Sequence, residues 1–351
     1  LQKNRQLSKV IIMIVASFFA SMLFTGLQPQ IANAEATTGY QVTATQLLGG
    51  TSGWDYLTFD NNTRQLFIAR RELGVNVVNV DTHQLIGAVK DTRGVNGIAL
   101  VPEFNRGYAT LGEDDLVAVF NLTTLAPIEE IIVGKDPDCI TYDPATKRVF
   151  TINGEGGSTT VIDAATGKVV GTILLPSKKT EFAVADGKGK LFVNLQDKNE
   201  VITIDTNSLK IINQWSIGSG KKPTPMAIDI EKDRLFVGCR NSVMVILDAK
   251  TGNIMAELPV GAGIDAVVFD PVSQLVFGSN SDGTMTVIQE TAPGKYEVID
   301  TIKTLPGART IALDPKTHSI FAVTAQFGTP EKPGAKAPIL PDTFVLLTIS
   351  R

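Results

Sequence analysis

Cysteine and histidine are scarce, with two of each among 351 residues. Cys139 and Cys239 cannot build a disulfide framework, and their spacing gives no support for pairing. Cys139 is expected to be a small core residue in a first strand, and Cys239 to sit exposed after a second one. His83 and His318 both fall in expected turns, which leaves almost no material for a zinc centre or a His-dependent triad. Basic charge is not in excess, because 32 Lys and Arg face 36 Asp and Glu. Nonspecific binding to nucleic acid needs basic surface to displace counterions, so that partner is disfavoured. No phosphate loop or dinucleotide fingerprint is present, since "GEGGS" from Gly154 lies between strand patterns with no helix after it. Long helical periodicity is missing beyond the N-terminal stretch.

The first 34 residues differ in kind. Lys3, Arg5 and Lys9 precede an apolar run from Val10 to Phe24, and Ala32-Asn33-Ala34 gives a small-x-small pattern. This predicts a secretory signal over 1–34, cleaved before Glu35, and a periplasmic or secreted mature chain. The run is about 15 residues, short of the ~20 that span a bilayer. No later segment is long enough, so no membrane span is expected in the mature chain. Residues 35–351 carry 29 basic and 36 acidic side chains, a net charge of −7.

What the sequence has in abundance is repetition. "TYDPATKRVF" from Thr141, "VFDPVSQLVF" from Val268 and "ALDPKTHSIF" from Ala312 are variants of one phrase. Aligned on its Asp, the equivalent positions are Asp60, Val101, Asp143, Asp186, Asp229, Asp270 and Asp314, stepping by 41 to 44 residues. Each unit reads strand, Asp-Pro turn, strand, strand, second turn ("DAATGK", "DAKTGN"), strand. Asp accepts a hydrogen bond from the turn backbone, and Pro suits its second position. A period near 42 with four antiparallel strands per unit is the pattern of propeller blades. The sequence therefore predicts an all-β fold over 35–351, a seven-bladed β-propeller in a single domain.

The seventh unit ends after its third strand, "TFVLLTIS", while "YQVTATQLL" from Tyr40 reads as a fourth strand with no blade before it. The N-terminal strand is thus expected to close the ring as the outer strand of blade seven, which removes an open edge. Blade seven also carries an insertion, "FGTPEKPGAKAPILPD", and blade six a longer hairpin around "TAPGKYE".

On "VIDAATGKVVGTI" from Val161, "AIDIEKDRLFVG" from Ala227 and "IALDPKTHSIFAV" from Ile311, the units resemble the YVTN-type β-propeller repeats of bacterial exported proteins, called YncE-like or surface-layer-like. The resemblance covers nearly all of residues 35–351. It implies the propeller fold, with relatives that include binding proteins, lactonase-like enzymes and a DNA binder. Gly-His and Trp-Asp signatures of WD40 units are missing. Fold alone does not fix function.

First strands of blades line the central channel. Five residues before each aligned position stand Asp55, Asn96, Asp138, Glu181, Thr224, Asp265 and Arg309, none of them apolar. They form a polar, mainly acidic ring, read as the ligand-binding site for a small molecule, an ion or a protein partner. A water-filled channel also favours polar lining without any ligand. Arg309 falls between Asp265 and Asp55 in ring order, which suggests an acid–Arg–acid cluster. Asp138 and Glu181 are neighbours with no cation at their own ring positions, so they are the candidate metal ligands, with calcium favoured by oxygen donors. Trp54 is expected to pack between blades or offer an aromatic face at the rim. Arg70, Arg71, Asn153, Asn194, Arg240, Asn280 and Thr324 form a second layer that either faces the funnel or caps turns.

Two functions follow. The first is an exported, monomeric binding propeller. The second is a calcium-assisted hydrolase of lactonase type that uses the ring carboxylates; no catalytic residue is assigned.

Overall fold

The computed structural model describes residues 38–332 and 334–351. Its strands form seven four-stranded antiparallel sheets. Blade one, for example, runs Trp54–Asp60, Gln65–Arg70, Gly74–Asn79 and Gln84–Ala88 from inside to outside. Inner strands of successive blades adjoin one another, and that of blade seven, Ile311–Leu313, adjoins that of blade one. The predicted seven-bladed ring is therefore formed. The predicted signal segment lies outside the described residues.

Turn chemistry is as the phrase demands. The Asp143 carboxylate accepts from the Ala145 amide and the Thr146 hydroxyl; Asp60, Asp270 and Asp314 do the same for their own turns, and Asp229 accepts from the Glu231 and Lys232 amides. Blade two has Val101 there and no such acceptor. It turns instead through a short 3-10 segment, Pro102–Phe104, ended by Asn105 in the left-handed conformation. Asn tolerates that conformation better than most residues.

Closure follows the expected route. Gln41–Leu47 pairs antiparallel with Val345–Ser350, so blade seven takes its outer strand from the N-terminal side. Tyr40 fastens this strand: its hydroxyl donates to the His318 carbonyl at 3.0 Å, and its ring meets Phe277 of blade six edge-on. The Thr38 hydroxyl and amide both donate to Asp300 on blade six at 2.7 Å. A second clamp sits across the seam. Arg70 of blade one is fully buried, stacks 3.7 Å over Phe344 of blade seven, and donates to the carbonyls of Gly49 and Gly50. Burial pulls its pKa down to about 10.

Between blades the core is continuous apolar packing, such as Phe67, Ala109 and Phe120 between blades one and two. Cys139 and Cys239 are free thiols, buried in separate clusters. The expected exposure of Cys239 is corrected here: it is the last residue of Arg234–Cys239, and its side chain points into the apolar layer. Among the described residues, no helix is long and apolar enough to cross a membrane.

Candidate functional site

The seven ring residues occupy one structural position. Six of them are second in the inner strand: Asp55 in Trp54–Asp60, Asn96 in Val95–Val101, Asp138 in Pro137–Asp143, Glu181 in Thr180–Ala185, Thr224 in Pro223–Asp229 and Asp265 in Ile264–Asp270. Each falls inside a register shift of its strand, between Trp54 and Leu57 in blade one and at the matching place in the other five. In blade seven the strand begins only at Ile311, so Arg309 precedes the ladder altogether. Bulges interrupt pairing and re-aim a side chain. Every blade thus breaks its innermost ladder where it places a polar group at the mouth.

The even blades hold the ring in place. The fifth residue of their second strand reaches across to a ring residue's backbone carbonyl in the next blade. The Thr110 hydroxyl donates to the carbonyl of Asp138 at 2.8 Å, the Asn194 amide to that of Thr224 at 2.9 Å, and the Ser279 hydroxyl to that of Arg309. At the equivalent distance from the aligned position, odd blades carry Ala69, Ile152, Gly238 and Val323. From blade seven, Arg309 donates to the Trp54 carbonyl at 3.4 Å.

The second layer splits cleanly. Arg70, Asn153, Asn194, Asn280 and Thr324 are buried. Asn153 and Asn280 donate to hydroxyls in their own blades, and the Thr324 hydroxyl to the Pro306 carbonyl. Arg71 and Arg240 lie one residue beyond the second strand and turn to the ring. Gln196, at the same place in blade four, was missed by the sequence reading; its amide donates to Glu181 and, at 3.3 Å, to the Thr224 hydroxyl. One step in register moves a side chain to the other face.

Charges do not pair as ring order suggested. Asp55 pairs with Arg71 rather than Arg309. Asp265 takes two guanidiniums, Arg240 at 2.7 Å and Arg309 at 2.9 Å. Arg309 makes its ion pair with Asp265 alone, and its charge acts on Asp55 only from a distance. The arginines stand outermost: side-chain exposure is 46% for Arg71, 40% for Arg240 and 38% for Arg309, against 16% for Asp55 and 14% for Asp265. Two cations on one carboxylate leave one positive charge in excess on that side.

Opposite them the acids lack cations. Among the described residues, Asp138 has no bonded cation, and Glu181 has only the neutral Gln196. Burial drives the Asp138 carboxyl well above its ordinary range, reinforced by Asp55 and Glu181. Glu181 is pushed up to about 7, again mainly by burial. Asp55 is raised by burial against the pull of Arg71. Beside Asp138 and Glu181 opens a cleft of about 390 Å³, lined also by Asp136, Lys178 and Lys179. Among the described residues, no three His, Cys, Asp or Glu side chains gather as metal ligands.

The channel is not an open bore. The next layer inward holds Tyr56, Gly97, Cys139, Phe182, Pro225, Ala266 and Thr310. Two aromatics from blades on opposite sides, Tyr56 and Phe182, meet with ring centroids 5.4 Å apart. The five small partners leave room for this crossbar, which floors the polar mouth. Trp54 is buried against Phe344 and Phe327, so it packs the blade-seven seam, with the insertion's first residue as part of its cover.

No family model matches the chain. It is similar to "Uncharacterized protein YncE" of Salmonella typhimurium, 26% identical over 203 residues, a stretch that is 56% of this chain and 56% of that protein. The protein of that name in Escherichia coli O157:H7 is 28% identical over 141 residues, 38% of this chain and 39% of that one. The chain therefore spans about half the length of these relatives, or less. In architecture it matches the solved structures of U3-55K and of the RRP9 WD40 repeats, each with a TM-score of 0.73 over 88% of this chain and 99% of theirs. Identity to these is 10% and 11%, so the likeness is one of fold alone.

Proposed function

We propose that this YncE-like β-propeller is an exported binding protein whose channel mouth takes a small organic molecule bearing a carboxylate. The observation that carries it is the uneven neutralisation of the ring. Arg240 and Arg309 share the single carboxylate of Asp265 and reach outward past it. A ligand carboxylate there completes the charge balance with bidentate guanidinium contacts, the geometry arginine favours. Across the mouth, burial raises the Asp138 carboxyl well above its ordinary range and pushes Glu181 up to about 7, which favours the protonated forms that can donate to a neutral oxygen of the same ligand. The Tyr56–Phe182 floor gives the ligand an apolar surface to rest on. Export rests on the basic-apolar-small pattern of residues 1–34.

Thermal denaturation with a panel of short mono- and dicarboxylates tests this. At least one is expected to raise the melting temperature of the parent and not that of the Arg240→Ala/Arg309→Ala variant. A flat panel, or equal shifts in both proteins, would contradict the assignment.

A second reading places calcium at Asp138 and Glu181, favoured by the lack of a bonded cation on either. Calcium would replace the proton that relieves this pair, and the hydrolase reading depends on it. Calorimetric titration at pH 8 after chelator treatment decides: heat that disappears in Asp138→Asn/Glu181→Gln supports the ion, and no heat removes it together with the calcium-assisted hydrolase.

A further inference from the structure

The charges around the mouth are sorted by blade. In each blade the turn after the second strand and the loop before the next inner strand lie at the mouth end, because the inner strand starts there. Over blades two and three these segments carry Glu113, Asp114, Asp115, Asp136 and Glu155 against one cation, Lys135, which is paired with Glu155 at 3.1 Å. From the loop that enters blade four to the turn of blade five they carry Lys178, Lys179, Lys198, Lys221, Lys222 and Arg240 against one acid, Asp197. The lysines of this basic arc are all exposed, and among the described residues they make no ion pair.

An acidic arc beside a basic one on a single face is a self-complementary pattern. Like charges crowd within each arc: burial raises the Asp136 carboxyl above its ordinary range, and Glu155 raises it further. Opposite charges laid over them would relieve both arcs. A twofold axis lying across the mouth does this in one operation, because it reverses the order of the blades. Drawn between the Glu155 turn and the Lys178–Lys179 loop, it lays Glu155 over those lysines of the other copy, and Glu113 and Asp114 over Lys221 and Lys222. At the far end of the same axis it brings the blade-seven insertion, with Phe327 39% and Leu340 37% exposed, over the loop that carries Leu305, 43% exposed. Charge and apolar surface thus match under one symmetry operation, as an isologous interface requires.

We infer that two copies of this chain dock mouth to mouth as a twofold dimer, the acidic arc of blades two and three in each resting on the basic arc of blades four and five in the other. This stands against the monomer expected from the sequence. It does not rest on what the mouth binds, because the contacts that carry it stand on the outer loops. Exposed ion pairs contribute little each and are screened by salt, so the dimer forms at low ionic strength and weakens as salt rises. They do fix partner and register, because juxtaposed like charges are costly. Docked in this way, the two polar mouths open onto each other.

Sedimentation velocity of the full chain is expected to show a dimer at low salt that dissociates towards about 0.5 M salt, where the screening length falls to a few ångström. Lys221→Glu/Lys222→Glu and Glu113→Lys/Asp114→Lys should each weaken dimerisation at least about tenfold. An equimolar mixture of the two variants should recover the parent's dimer, because each reversed arc then faces its opposite. A parent that is monomeric at low salt, a dimer that either reversal leaves unchanged, or a mixture that stays monomeric would overturn the inference. If a reversed variant does not fold, carbodiimide coupling of parent chains mixed in light- and heavy-nitrogen forms decides. Mixed-isotope amides that join Glu155 to Lys178 or Lys179, or Glu113 or Asp114 to Lys221 or Lys222, support the dimer, and their absence refutes it.

Discussion

The Thr110 hydroxyl of blade two lies 2.8 Å from the backbone carbonyl of Asp138 in blade three, and it accepts from the Gly97 amide at the same distance. One side chain thus satisfies two buried backbone groups at two neighbouring bulges. Thr110→Val keeps the shape and orphans both. The expected loss is about 2–4 kcal/mol, one penalty per group, measured by denaturant unfolding. Thr110→Ser should stay near the parent. A valine variant as stable as the parent would show that the ring carbonyls are hydrated rather than held by the next blade.

Closure predicts a large effect. Deleting residues 40–48 removes the strand paired with Val345–Ser350 and the Tyr40 contacts. The blade-seven edge becomes a template for other chains. Aggregation or a collapse of thermal stability is expected. Parent-like melting of a monodisperse deletion would show that the seam holds without this strand.

Asp265 has two cations, so neither is indispensable. Arg309→Ala and Arg240→Ala should each cost on the order of 1 kcal/mol or less, since the mouth is wet and the remaining arginine takes over. The double variant should lose more than the sum, because Asp265 is then left without a partner. Strict additivity in the double-mutant cycle would mean that the two arginines act independently of Asp265.

The mouth should respond to pH. Glu181 titrates near 7 when folded and near the ordinary glutamate value when unfolded, so the folded state holds the proton more tightly. Stability from this group is present below the unfolded pKa and is lost as pH rises through about 7. The amplitude is on the order of 2 kcal/mol after allowance for solvent at the mouth. Glu181→Gln should remove that slope between roughly pH 4.5 and 8 and leave other titrations in place. Equal slopes in both proteins would show that Glu181 is solvated.

How much of this was legible in the sequence depends on what each feature requires. The blades, their Asp turns and the closing strand are local or periodic, so residues such as Asp143 and Tyr40 announced them. The ring was legible because Asp55, Asp138 and their equivalents share one offset from that Asp. The partners were not. Arg71 and Asn194 look alike in a list of strand-end polar residues, yet one faces the mouth and the other locks the next blade. Their places in the blade stand two positions apart along the chain, so they differ in depth rather than in face, which hydropathy does not mark where both sites are polar. The crossbar was hidden for another reason. Tyr56 and Phe182 are more than a hundred residues apart, and only the closed ring brings blades one and four face to face.

The mouth assignment is tested most directly by a high-resolution crystal structure of protein purified without chelator and soaked with the carboxylate that gives the largest thermal shift. The expected result is carboxylate density bonded to Arg240 and Arg309, with the rest of the molecule over Tyr56 and Phe182 towards Asp138 and Glu181. Ordered water alone on the axis, or the carboxylate bound away from these residues, would contradict it.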